Sequence, residues 1–150
     1  MESQLFNLVE VFYTSATGNV DNQRGDLLEY VIDEILSRQF ASHTRHNAAV
    51  LELHNTQGST IATINPHNID FFLEEANIND TKCFESKMTV EQNYGQLNTF
   101  NTFAQALSTN GVTCPIKVVH SVTDTFAKLY SRWYPHLHFV NPTDLKNGNI

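Results

Sequence analysis

The first 40 residues carry two stretches in which apolar side chains recur at helical spacing. Segment 2–16 has one apolar arc, formed by Leu5, Leu8, Val9, Phe12 and Ala16. Asp26 can cap a second helix that extends to about Phe40. The inward positions of this second helix are Leu28, Val31, Ile32 and Ile35. The pattern therefore predicts that two helices open the chain.

The middle of the chain combines strand-like and helical patterns. Segments 48–54 and 60–64 flank a turn at Asn55–Gly58, which predicts a β-hairpin. Pro66 suits the first turn of a third helix. That helix is predicted to reach about Ala76, with apolar positions at Ile69, Phe72, Leu73 and Ala76. Segment 82–89 stays open between a strand and a loop.

The second half of the chain alternates helical and strand patterns. A helical stripe runs from about residue 89 to 108, and Asn110–Gly111 ends it. The next predicted elements are a strand at Pro115–His120, a helix at Val122–Trp133 and a strand at His136–Val140. If the two strands are parallel neighbours, they form a right-handed crossover unit with the helix between them. The tail after Pro142 is expected to fray.

Together these elements predict one mixed α+β domain over residues 1–150, with about five helices and a small sheet that contains the hairpin. A hydrophobic fraction of 41% is enough for a packed core at this length. No apolar run approaches the roughly 20 residues that cross a bilayer, and the N-terminus lacks a signal-peptide pattern. We therefore expect a soluble, cytoplasmic protein. Cys83 and Cys114 could pair only if they meet in space, so we expect two reduced thiols.

The charge is divided unevenly along the chain. The net charge is −7. Residues 1–92 hold 14 acidic and 5 basic residues, whereas residues 93–150 hold 2 acidic and 4 basic residues. The acidic part disfavours nucleic acid. The basic C-terminal part also holds aromatic and histidine side chains, and we expect it to form a recognition face whose members are Lys128, Arg132, Tyr134, His136 and His138. Within that region Trp133 is expected to anchor the core and Tyr134 to be exposed.

One short stretch between an apolar run and a helix suggests a loop that binds a cofactor phosphate. Ser15-Ala16-Thr17-Gly18-Asn19-Val20 follows the apolar run Leu8–Tyr13 and precedes a helix. These six residues resemble the phosphate loop of flavodoxin-type FMN proteins, in which hydroxyls and backbone N–H groups hold a phosphate. The resemblance implies an α/β flavodoxin-like fold and an FMN-binding electron carrier. It would also bury Glu10 in a central strand, so we keep this fold as the alternative and expect no cofactor.

The seven histidines provide candidate metal ligands and acid–base groups. His43 and His46 are three residues apart, His136 and His138 are two apart, and the four together could hold a metal ion. Surface histidines are the simpler interpretation, and we expect no metal. For acid–base catalysis, His120 at a strand end with Asp124 is the first candidate. His54 in place of His120, and Asp70 or Glu52 in place of Asp124, are further possibilities.

No signature of a nucleotide-binding loop, a serine nucleophile or a zinc finger is present in the sequence. The leading hypothesis is therefore a noncatalytic module that binds a small molecule or a protein partner, with a homo-oligomer as a further possibility. The alternative is a small enzyme of isomerase, dehydratase or hydrolase type that uses histidine–carboxylate or histidine–metal chemistry. The FMN-binding electron carrier is a weaker alternative.

Overall fold

The computed structural model describes the backbone of residues 21–87, 94–120 and 124–150, and the side chains of residues 25–87, 94–120 and 128–150. In these ranges the helices are α1 (Asp21–Gln39), α2 (Tyr94–Thr109), α3 (Asp124–Trp133) and α4 (Pro142–Lys146). The strands are β1 (Thr44–Ala49), β2 (Glu52–His54), β3 (Thr60–Thr63), β4 (Ile69–Glu74), β5 (Lys82–Lys87), β6 (Ile116–His120) and β7 (Leu137–Val140). A short 3-10 helix at Ile78–Asp80 joins β4 to β5. The protein is a mixed α+β domain.

Five strands form one mixed sheet in the order β1-β4-β5-β6-β7. The pairs β1–β4 and β4–β5 are antiparallel, whereas β5–β6 and β6–β7 are parallel. Helices α2 and α3 connect the parallel strands, as expected for strands that run in one direction. The condition for a crossover unit is met, because β6 and β7 are parallel neighbours with α3 between them. The carboxyl ends of β5, β6 and β7 therefore lie along the same edge of the sheet.

The sheet separates two apolar cores. One core lies between the sheet, helices α2 and α3, and the hairpin β2–β3; its largest members include Phe100, Tyr130 and Ile116. The other core lies between the sheet, α1 and α4, and includes Leu28, Ile32 and Phe84. Neighbouring residues of one strand enter opposite cores: Val118 packs with α2 and α3, and Val119 packs with α1 and α4. The sheet is thus covered by helices on both faces.

The predicted third helix is wrong, because residues 69–74 form strand β4. Ile69, Phe71 and Leu73 are buried, which is the two-residue period of a strand. Hydrogen bonding to β1 on one side and β5 on the other fixes this segment in the sheet. The apolar residue Phe72 lies on the other face, and its presence between Phe71 and Leu73 made the pattern look helical.

Several boundaries also differ from the prediction. Helix α1 includes residues 21–25, which precede the expected cap at Asp26. The predicted strand 48–54 is divided between edge strand β1 (Thr44–Ala49) and β2 (Glu52–His54), and the polar residues of β1 can face water at the sheet edge. The segment after Pro142, expected to fray, forms α4, which Asn141 and Asp144 cap reciprocally. The open segment 82–89 contains strand β5.

The predicted hairpin is present, but it forms a two-stranded sheet of its own and does not belong to the five-stranded sheet. The hairpin β2–β3 turns at Asn55–Gly58, with Gly58 at a φ of 83°. Helix α2 is followed by Gly111 at a φ of 76°, a value that suits glycine at a helix end. The predicted helix over 2–16 and the flavodoxin-like loop lie outside the described residues. Among the described helices, none is both long enough and apolar enough to span a membrane.

Candidate functional site

The exposed side of helix α3 carries two cationic and two large apolar side chains. Lys128 and Arg132 are four residues apart and both exposed, so they form one row along the helix. Leu129 and Trp133 form the adjacent row, with 38% and 48% of their surface exposed. Tyr94, at the start of α2, meets the Trp133 ring edge-on at a centroid distance of 5.9 Å. We call these five residues the α3 face.

The burial of two neighbouring aromatic residues, Trp133 and Tyr134, is the reverse of the prediction. Trp133 was predicted to anchor the core but lies half-exposed on the α3 face. Tyr134 was predicted to be exposed but is 2% exposed and belongs to the core shared with α2. The physical reason for the burial of Tyr134 is that it lies four positions after the buried Tyr130, to whose carbonyl its backbone N–H donates at 2.8 Å, so both rings lie on the same side of the helix. Tyr134 therefore supports the fold beneath the predicted recognition face.

The two C-terminal histidines do not join the α3 face. His136 lies in the turn before β7, where its backbone N–H donates to Oδ1 of Asn101 at 2.9 Å. His138 is exposed on β7. Its neighbour Leu137 packs in the core with α2 and α3, so the alternation of the strand directs His138 toward the opposite face of the sheet. Of the predicted binding residues, the structure brings together Lys128 and Arg132.

The other histidine pair lies at the far edge of the sheet. His46 on β1 contacts Glu74 Oε2 at 2.8 Å and stacks on Phe72 at a centroid distance of 5.9 Å. His43 Nε2 lies 3.6 Å from Glu75 Oε2. Strands β1 and β7 are the two edges of the five-stranded sheet. Four strand spacings separate them, roughly 19 Å, so the two pairs do not meet.

A second candidate site lies at the carboxyl end of β5. Glu85 is 1% exposed, and its Oε1 lies 3.1 Å from Nζ of Lys87. Asp70 of the neighbouring strand β4 accepts a hydrogen bond from the backbone N–H of Ser86 at 2.7 Å. The other oxygen of Glu85, Oε2, has no hydrogen-bond partner among the described residues. This site therefore combines a buried carboxyl group with a second carboxylate and a lysine.

Burial and neighbouring charge perturb the carboxyl groups of this site. Burial, and then the negative charge of Asp70, raise the pKa of Glu85 to about 9; the lysine opposes this change. Glu29 on α1 has a raised pKa for the same two reasons, burial first and Asp70 second. Glu85 therefore keeps its proton at neutral pH, and can donate it to a bound group.

His120 ends β6 beside this carboxyl group. It is fully buried, and Lys87 is its cross-strand partner in the parallel pair. Its ring meets Phe139 at a centroid distance of 6.0 Å. Glu85 lies two residues before Lys87 and therefore on the same face of the sheet. Asp124 starts α3, but its side chain lies outside the described residues.

The remaining predicted acid–base pair is a surface feature. His54 Nε2 lies 3.1 Å from Oε2 of Glu52, and nearly half of each side chain is exposed. Glu85, in contrast, was missed by sequence analysis, because a single carboxylate in an unassigned segment gives no signal of burial. In the part of the chain that the structure describes, no group of three or more histidine, cysteine or acidic residues could hold a metal ion.

Comparisons with known proteins add no functional assignment. No protein-family model matches the chain, and no curated protein is significantly similar to it.

Proposed function

We propose that this protein is a noncatalytic binding module that docks an acidic protein surface on the α3 face. The observation that carries the proposal is the exposure of Trp133 and Leu129 in a row beside Lys128 and Arg132. Tryptophan and arginine are the residues that most often dominate the free energy of protein association. A row of cations beside them favours a partner of opposite charge and excludes basic partners.

The position of the acidic residues within the domain supports this choice of partner. Helix α1, which carries Glu29, Asp33 and Glu34, packs on the opposite face of the sheet from α3. Among the described residues, no carboxylate lies within 4.0 Å of Lys128 or Arg132.

Trp133 is the only tryptophan of the chain, so its fluorescence reports directly on this face. The probe is a helical peptide of about 20 residues with leucine and glutamate on one side. We expect saturable binding, a blue shift of the emission, and weaker binding as salt rises. A peptide with lysine in place of glutamate should not bind. Equal binding of both peptides would contradict an acidic partner.

Two single charge reversals test where the peptide binds. Arg132→Glu should weaken binding of the acidic peptide strongly, because it places a like charge at the contact. Lys146→Glu is the matched control, since it makes the same change in net charge on exposed α4. Equal affinity of both variants would reject the α3 face. Sedimentation equilibrium checks the competing outcome, in which a second copy of the chain occupies this face.

A second candidate function is a small acid–base enzyme, favoured by the protonated Glu85 at the carboxyl end of a parallel strand. Ligands of sheets with helices on both faces often bind at this edge. Glu85 would donate a proton, and His120 would accept one. Deuterium exchange into the α-positions of small ketones and 2-oxo acids, followed by NMR, tests this chemistry. We expect exchange with the natural protein and none with Glu85→Gln; exchange by both would reject the role of Glu85.

A further inference from the structure

Cys83 and Cys114 are 31 positions apart in sequence, but their sulfur atoms meet inside the domain. The two Sγ atoms lie 3.6 Å apart, and both thiols are free. Cys83 lies on β5, and Cys114 lies in the segment between Gly111 and β6, outside regular secondary structure. A disulfide requires the sulfur atoms to approach to about 2.05 Å. The connecting segment that holds Cys114 can move toward Cys83 to close the remaining distance between the sulfur atoms, so the sheet itself need not move.

The two thiols differ in access to solvent. Cys83 is 1% exposed, whereas Cys114 is 8% exposed. Cys114 also lines a surface pocket of about 300 Å³ near the end of α2, together with Ser108, Thr113 and His136. Cys83 is absent from this pocket but adjoins a smaller apolar cavity of about 70 Å³ that both cysteines share. A small molecule that enters through the larger pocket therefore meets Cys114 and not Cys83.

Cys114 makes two contacts with Thr81: its thiol donates to the backbone carbonyl at 3.4 Å, and its sulfur can accept from the side-chain hydroxyl. The hydroxyl of Thr81 can donate to Sγ of Cys114 at 3.1 Å, or to the carbonyl of Ile78 at 2.5 Å. The single hydroxyl proton can thus turn toward the sulfur when that sulfur is charged. Hydrogen bonding from Cys83, then from Thr81, and the charge of Lys82 lower the pKa of Cys114, although burial opposes them. The same pairing and burial raise the pKa of Cys83.

We propose that Cys114 and Cys83 form a redox-active dithiol that reduces small hydroperoxides, with Cys114 as the attacking residue and Cys83 as the resolving residue. This site is independent of the α3 face. In the first step the Cys114 thiolate attacks one peroxide oxygen and the O–O bond breaks. The leaving oxygen takes up a proton, giving water or an alcohol, and Cys114 becomes a sulfenic acid.

In the second step the sulfur of Cys83 attacks the sulfenic sulfur of Cys114. The S–O bond breaks, the hydroxyl group leaves as water with the proton of the Cys83 thiol, and the disulfide forms. Two electrons pass from the dithiol to the peroxide in the complete reaction. An added dithiol reductant then restores both thiols. Cys114 lines the pocket that opens to solvent and Cys83 does not, so Cys114 attacks first and Cys83 resolves.

The experiment treats the full chain with stoichiometric hydrogen peroxide at pH 7 and follows free thiols and peptide masses. We expect loss of both thiols, one peptide pair linked through Cys83 and Cys114, and complete reversal by dithiothreitol. Cys83→Ser should accumulate a sulfenic acid at Cys114 that dimedone traps. Cys114→Ser should react about tenfold more slowly, since the remaining thiol of Cys83 is 1% exposed and buried thiols are inert. Absence of the linked peptide in the oxidised natural chain would overturn the proposal.

A matched pair of variants at Thr81 keeps the proposal testable if the cysteine variants fold poorly. Thr81→Ser retains the hydroxyl group, whereas Thr81→Val replaces it with a methyl group of similar size. We expect Thr81→Ser to react with hydrogen peroxide at the natural rate and Thr81→Val to react several-fold more slowly. Circular dichroism confirms that each variant is folded. Equal rates for the two variants would show that the hydroxyl group does not stabilise a thiolate.

Discussion

At the scale of single residues, the most unusual group of the molecule is the buried carboxyl of Glu85. It lies 3.1 Å from Lys87, a contact that by itself would favour the charged form. Burial outweighs this attraction, because almost no water reaches the side chain, and Asp70 adds a like charge. The result is a carboxylic acid that stays protonated at neutral pH, which is the state that a proton donor requires.

This carboxyl group should make the stability of the domain depend on pH. The folded protein holds the proton up to about pH 9, whereas an unfolded chain releases it near the ordinary pKa of 4.5. Between these values the folded state binds more protons, so the free energy of unfolding falls as pH rises, by at most about 1.4 kcal/mol per pH unit. Urea unfolding from pH 5 to 9 should show this fall, and Glu85→Gln should lessen it. An equal slope in both proteins would contradict the assignment.

The neighbouring residues Trp133 and Tyr134 give a second prediction at this scale. Tyr134→Ala should lower the free energy of unfolding by about 3–5 kcal/mol, as for other large buried aromatics. Trp133→Ala should cost about 1 kcal/mol, since it loses mainly its ring contacts with Tyr94 and Tyr130. Denaturant unfolding of both variants measures the difference. The opposite ranking would restore the roles that the sequence pattern suggested.

At the scale of elements, the amphipathic helices and the strands β6 and β7 could be predicted, whereas strand β4 could not. The apolar stripe Leu28, Val31, Ile32 and Ile35 identified α1, because the opposite side of this helix carries polar residues that face solvent. Strand β4 was mistaken for a helix because it contacts apolar layers on both faces, which removes the alternation of a half-exposed strand. Burial of Glu85 depends on pairing with β4 and β6, which no local pattern encodes.

The assignment of β4 leads to a prediction that separates a strand from a helix. In the strand Phe71 is buried, whereas the helical pattern would place it in solvent. Phe71→Ala should therefore lower the free energy of unfolding by about 3–5 kcal/mol. Ala76 is the matched control: the helical pattern buries it, but the structure exposes it. Ala76→Gln should change stability by about 0.5 kcal/mol or less. A large cost at Ala76 and none at Phe71 would favour the helix.

At the scale of the whole molecule, topology decides which residues can act together. The order of the strands places His46 and His138 on opposite edges, although each histidine pair has a spacing typical of metal ligands. The same topology brings Cys83 and Cys114 together and places acidic α1 and the α3 face on opposite sides of the sheet. Sequence spacing could identify the pairs, but the distances between them follow from the sheet.

The separation of the histidine pairs predicts that chelation leaves the stability of the domain unchanged. A metal held by the native state would stabilise it by mass action, so its removal would lower the melting temperature. With roughly 19 Å between the two sheet edges, one ion cannot bind both pairs. Thermal unfolding with and without EDTA should therefore give the same melting temperature, and His46→Ala and His136→Ala should show the same indifference to EDTA. A clear fall with EDTA that both substitutions abolish would require the two edges to meet, either through a second copy of the chain or through a different strand order.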